Sequence, residues 1–166
     1  MLPDESRLLL KALTYEHGHL RRTQHILNVY ALAKLLGEQE NLSPQEQLIL
    51  RAAAILHDIA IKRCKEKYGD GRPEMQRIEA PAIVHSFLTP CGYPESAIPR
   101  ITELVVLHHC YDRIDGQTFQ LLVEADLIAG CFEADSPAAR AEAVRPLFKS
   151  KTGLALLAAW LPEQNT

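Results

Sequence analysis

Apolar residues recur at three- and four-residue intervals along almost the whole chain, and alternating β-branched runs are missing. That pattern predicts an all-α fold, a compact bundle of about 7–9 helices. A short amphipathic stretch spans 5–14. A long helix follows at 19–39, with Leu20, Leu27, Tyr30, Ala31 and Leu35 on its apolar positions and Gly37 near its end. Ser43-Pro44-Gln45-Glu46 combines a capping serine, a first-turn proline and the glutamate of a capping box. The helix it opens is expected to run to about Ile59. It is apolar on most sides, as a central helix must be. A charged short helix plus loop occupies Lys62 to Pro73. Further helices are expected at 74–88, 95–109 and 118–131, from Asp135-Ser136-Pro137 to about Lys149, and from Thr152 to Leu161.

Polar residues interrupt the apolar faces at three places. His57-Asp58 ends the run Ala-Ala-Ala-Ile-Leu-His-Asp-Ile. Asp126 has Leu122, Val123, Ala129 and Gly130 one turn away, and His25 sits on a helix with a broad apolar face. Taken singly, a histidine on such a face is as a rule a satisfied core residue. A lone aspartate is more often a cap or an ion-pair partner. Taken together, His25, His57, Asp58 and Asp126 supply two imidazoles and two carboxylates from three helices. A buried carboxylate costs several kcal/mol unless it is paired or metal-bound. This donor set suits Mn²⁺, Fe²⁺, Co²⁺, Ni²⁺ or Zn²⁺, and Mg²⁺ less naturally.

The remaining arithmetic excludes more than it selects. A 166-residue chain fits one domain with an ordinary core. The net charge is −3 with no basic run, so no nucleic-acid partner is expected. There is no apolar run long enough to span a bilayer, and the N-terminus is acidic rather than basic before its short apolar stretch. No membrane partner is expected, and a cytoplasmic location is. Cys64, Cys91, Cys110 and Cys131 lack metal-site spacing and read as free thiols.

The ordered set His25, His57-Asp58, Asp126 resembles the H…HD…D signature of the HD-domain superfamily of metal-dependent phosphohydrolases. The first histidine lies 32 residues before the doublet, and the last aspartate 68 residues after Asp58, in Glu124-Ala125-Asp126. Arg22-Thr23-Gln24-His25, Tyr68-Gly69 with Gln76 and Glu79, and His108-His109 with Ile114-Asp115-Gly116 are similar to segments of small stand-alone bacterial members. The resemblance covers about residues 15–130 and implies an HD-type helical core. Residues 131–166 then form a C-terminal helical extension within a single 1–166 domain.

By the same resemblance, a divalent ion held by His25, His57, Asp58 and Asp126 activates water, and Asp58 orients that water or accepts its proton. One tightly bound ion is expected, with room for a second. Lys62, one turn after the doublet, is the expected catalytic cation, and Arg22, one turn before His25, the expected phosphate binder. For each, a solvated surface position is the alternative. His108 and His109 are further substrate-binding candidates, one of them facing the site, with His108 favoured. Gln76 and Glu79 are weaker candidates, an ordinary helix surface being their alternative. His17, His19 and His85 carry no expected role.

Ala60 stands where many members have glycine. Ile61 stands where some nucleotidase members carry a glutamate acid/base, so that role does not transfer. The expected function is hydrolysis of a phosphoester or phosphoanhydride in a small phosphorylated substrate, a nucleotide for preference. A dinucleoside polyphosphate hydrolase or phosphodiesterase is the alternative within the class. A metal-containing nucleotide-binding or regulatory module is the alternative outside it. A homodimer stays open.

Overall fold

The computed structural model describes residues 2–161; Met1 and residues 162–166 of the expected extension lie outside them. The described residues form nine α-helices: α1 (Glu5–Tyr15), α2 (Leu20–Gln39), α3 (Pro44–Leu56), α4 (Ala60–Tyr68), α5 (Pro73–Leu88), α6 (Ile98–Leu107), α7 (Gln117–Glu133), α8 (Pro137–Val144) and α9 (Lys151–Ala158). Three single 3₁₀ turns, at Thr89–Cys91, Tyr111–Arg113 and Arg145–Leu147, join them. The expected all-α class and helix count agree with this architecture.

The centre of the bundle is α3. Its capping box is formed as expected: the Glu46 amide donates to Ser43 Oγ at 3.3 Å and the Ser43 amide to Glu46 Oε2 at 3.0 Å. From Leu50 the helix presents Ala52, Ala53, Ala54, Ile55 and Leu56 to the core, all fully buried. Three consecutive alanines keep the helix thin, so α2, α6 and α7 can all pack against it. α2 and α7 also pack against each other. The three elements that carry the expected ligands are thus mutual neighbours.

Two helix ends fall earlier than the apolar pattern suggests, and both corrections bear on the site. α3 stops at Leu56, not at Ile59. The His57 ring donates from Nδ1 to the Ala54 carbonyl at 2.7 Å. That carbonyl is the acceptor the Asp58 amide would use in a continued α-helix. The backbone closes instead with three-residue bonds, from Ile59 to Leu56 and from Ile61 to Asp58. α6 ends at Leu107 in the same way, with His108 Nδ1 donating to the Val105 carbonyl at 2.6 Å. A third early end, α8 at Val144, precedes Pro146, which has no amide to continue a helix.

The segment after α7 folds back onto it. Glu124, fully buried on α7, accepts from Gln120 Nε2 at 2.8 Å, from the Lys149 amide at 2.7 Å, from the Ser150 amide at 2.9 Å and from Ser150 Oγ. Ser150 Oγ in turn caps α9 by accepting from the Gly153 amide at 2.8 Å. No helix among the described residues is long and apolar enough to cross a membrane. The four cysteines are free, and Cys64, Cys91 and Cys131 are buried as expected of packing thiols.

Candidate metal centre

His25 reaches the centre from the first half of α2, His57 and Asp58 from the turn after α3, and Asp126 from the middle of α7. The four side chains converge. His25 Nε2 lies 3.0 Å from His57 Nε2 and 3.0 Å from Asp126 Oδ1. Asp58 Oδ2 is 3.4 Å from both imidazole Nε2 atoms, and Asp126 Oδ1 is 3.5 Å from His57 Nε2. His57 is buried to 1% of its surface, while Asp58 and Asp126 keep a narrow opening to solvent.

The backbone and one carboxylate fix how these rings point. His57 Nδ1 is engaged by the Ala54 carbonyl, and His25 Nδ1 donates to Glu133 Oε1 at 2.7 Å. Each ring therefore turns Nε2 into the cluster, in the tautomer a ligating histidine needs. His108 repeats the arrangement. Its Nδ1 is engaged by Val105, and its buried Nε2 has no hydrogen-bond partner, standing 3.3 Å from Asp58 Oδ1. A lone pair facing a carboxylate oxygen at that distance is repulsive unless positive charge lies between them.

The electrostatics point the same way. Burial alone would raise Asp58 and Asp126, yet the surrounding histidines hold both carboxyls below the usual range. Burial alone would lower His25 and His57, yet the two aspartates draw both up. The cluster stabilises positive charge at its centre, which is the demand of a divalent cation site. His25, His57 and Asp126 can each place a ligand atom within 4.8 Å of the others, and Asp58, His108 and His109 form a second such group. The residues present fit a divalent ion. Asp58 stands between the two groups, one oxygen toward each.

A cavity of about 620 Å³ opens onto this cluster. Arg22 lines it as expected, with Nε held by the buried Glu16 carboxylate at 2.5 Å. His109 lines it too, its ring 3.9 Å from that of His108. Both histidines of the pair therefore belong to the site: His108 against Asp58, His109 in the cavity wall. Although His109 is exposed by area, protein packed around its ring, with His108 adding to the effect, pushes its pKa down to about 4.

Two expected site residues are placed elsewhere. Lys62 is turned away from the cavity: its ammonium donates to the Tyr15 carbonyl at 2.8 Å and lies 4.6 Å above the Tyr15 ring. It tethers α4 to α1 in this structure. Gln76 is buried and donates to the Gly71 carbonyl at 2.8 Å, bracing the loop before α5 rather than lining the cavity. Glu79 likewise pairs with Lys67 and Tyr68, both at 2.7 Å. The position next to Lys62 lines the cavity instead, as Ile61, with Lys65 one turn beyond it.

Sequence reasoning missed Glu133, Lys65, Tyr111, Arg21 and Arg140, all of which line the cavity, and assigned no role to His19, which also lines it. Glu133 had a signal: it lies two turns after Asp126, on the stripe Asp126, Gly130, Glu133 of α7. Arg140 had none, because it belongs to α8 and reaches the cavity only through the return of the chain. Removing Glu133 (Glu133→Ala) frees the His25 ring to rotate. Affinity for the divalent ion is expected to fall about 10- to 100-fold, read by competition with a chromophoric chelator. Unchanged affinity would show that Glu133 does not set the ring.

Comparison with known families matches the HD domain to residues 22–127 of the chain. No curated protein and no solved structure gives a significant match.

Proposed function

The chain belongs to the HD-domain family, whose members are typically metal-dependent phosphohydrolases, and from that premise we propose that it hydrolyses a phosphate bond of a small phosphorylated substrate, a nucleotide in particular. The observation that carries the reading is the convergence of His25, His57, Asp58 and Asp126 at the floor of a cavity whose walls bear four cationic side chains, Arg21, Arg22, Lys65 and Arg140. An acidic floor under a basic rim is the arrangement for holding an anion over a bound cation.

The four residues would hold a divalent ion of the Mn-to-Zn series, which supplies a Lewis acid and a water of lowered pKa. Asp58 presents one oxygen to His25 and His57 and the other to His108, so it can bind and orient at once. His109 is neutral at pH 7, so its ring offers an uncharged nitrogen at the cavity wall. Arg22 is held in place by Glu16 and offers its remaining guanidinium nitrogens to phosphoryl oxygens. Arg21, Lys65 and Arg140 add positive potential around the mouth, which favours the more highly charged transition state. The cavity volume falls within the range of small-molecule sites, roughly 300–1,000 Å³.

The test is metal content of the purified protein, followed by phosphate release from a panel of nucleotides and ringless phosphoesters with Mn²⁺, Co²⁺, Ni²⁺ and Mg²⁺. Bound metal and release from at least one nucleotide are expected, lost at least ~1,000-fold in Asp58→Ala. Nucleotide binding without turnover by any metal form would overturn the hydrolase in favour of a binding module. Absence of bound metal under every condition would overturn the centre itself.

A further inference from the structure

Beside the metal cavity lies a second hollow of about 490 Å³, lined by Arg21, Gln24, Leu27, Asn28, Phe132 and Glu133. It shares Arg21 and Glu133 with the first. The shared wall touches the metal cluster directly, since Glu133 holds His25 at 2.7 Å. Along α2, Arg21, Gln24 and Asn28 follow at three- and four-residue steps, so one helical stripe leads from one hollow into the other. Nothing in the proposed chemistry uses this second hollow.

Its lining is chemically particular. Leu27 and Phe132 are large apolar residues left 41% and 44% exposed. Single exposed apolar residues are ordinary. These two, however, share a concave site with two carboxamides, Gln24 and Asn28, each able to donate and accept. An aromatic face, an aliphatic wall and paired donor–acceptor groups match a planar heteroaromatic ring with polar edges. A lipid chain would leave the carboxamides unpaired, and a purely anionic group would meet Phe132, Leu27 and the Glu133 carboxylate.

Resting on the phosphohydrolase reading, we propose that the second hollow is the subsite for the nucleobase of a nucleotide substrate. The ring stacks on Phe132 and its edge is read by Asn28 and Gln24. The phosphate lies across the shared wall, over the metal centre, with Arg21 at the junction.

Trp160, the only tryptophan of the chain, lies against Phe132 with ring centroids 5.0 Å apart. It is a built-in reporter that needs neither metal nor turnover. The experiment titrates the full-length protein with adenosine, uridine and ribose, following tryptophan fluorescence up to the solubility of each. At least one nucleoside is expected to change the emission saturably, and ribose to leave it unchanged. Stacking on an aromatic side chain makes the expected weakening in Phe132→Leu about tenfold, with similar weakening in Asn28→Ala, which leaves the Phe132–Trp160 contact intact.

Metal content should be unaffected in both variants. Phosphate release from ringless esters should also stay within twofold, while KM for the nucleotide rises about tenfold. No response to either nucleoside, or nucleoside affinity within twofold of wild type in both variants, would overturn the subsite. Failure of the hydrolase reading looks different: nucleoside binding persists, but no phosphate is released from any substrate.

Discussion

Asp126→Asn is expected to yield a folded protein that has lost its metal and at least ~1,000-fold of its phosphate release. Asparagine keeps the volume of the side chain, so packing on α7 is preserved. It removes one of the two carboxylates that make the centre attractive to a dication, and the one closest to His25. In the metal-free protein the same change breaks the pair between Asp126 and His25, whose histidine holds the carboxyl below its usual range, so unfolding without metal should be somewhat easier than in wild type. Wild type gains stability from bound ion, about 2.7 kcal/mol at a hundredfold excess over Kd, and the variant loses that gain. Metal analysis, phosphate release and urea unfolding with and without chelator check the set. A chelator-insensitive wild type, or a variant that retains its metal, would remove Asp126 from the centre.

Two residues earlier on the same helix, Glu124→Ala should cost stability rather than metal. Residues two apart point about 200° from each other around a helix. Asp126 therefore faces the centre, while Glu124 faces the returning chain. Deleting the Glu124 carboxylate strands two backbone amides and the Ser150 hydroxyl, while the Gln120 amide loses one of its two acceptors and keeps the Leu147 carbonyl at 2.9 Å. Unpaired buried donors cost about 1–3 kcal/mol each. With partial relaxation the loss is expected at about 4 kcal/mol, a large share of the roughly 5–15 kcal/mol that holds a domain together.

Glu124→Gln retains a carbonyl for the two backbone amides and should lose about half as much. Gly153→Ala attacks the same contact from the other side, because a Cβ there would run into the Glu124 carboxylate and Ser150 Oγ. Urea unfolding of the three variants decides. A loss under about 1 kcal/mol in Glu124→Ala would show that this contact does not fasten the C-terminal segment.

The signal that revealed Asp126 was present for Glu124 as well: both are carboxylates in an apolar helical run. Period and polarity say that such a residue is buried, but not what meets it. One carboxylate meets histidines of two other elements, and the other a backbone turn some 25 residues downstream. The same limit explains Lys62. One-turn spacing from the His57-Asp58 doublet assumed a helix running through that doublet. The His57 ring ends α3 at Leu56, a new helix starts at Ala60, and the lysine swings to Tyr15.

What the sequence by itself determined was the helical class, the central place of the alanine-rich α3, its capping box and, through the resemblance to the H…HD…D signature, the four candidate ligands. The first three rest on local rules of helical period and cap chemistry; the cost of burying charge marked the four polar residues, and the resemblance joined them into one set. The structure alone decided the orientation of the rings, through carbonyls at Ala54 and Val105 and the carboxylate of Glu133. It also decided that both His108 and His109 join the site, and that α8 returns to place Arg140 on the rim. Those outcomes depend on which elements meet across the core. Side-chain direction at a helix end and contacts between distant segments follow from packing, which no periodicity along one chain encodes.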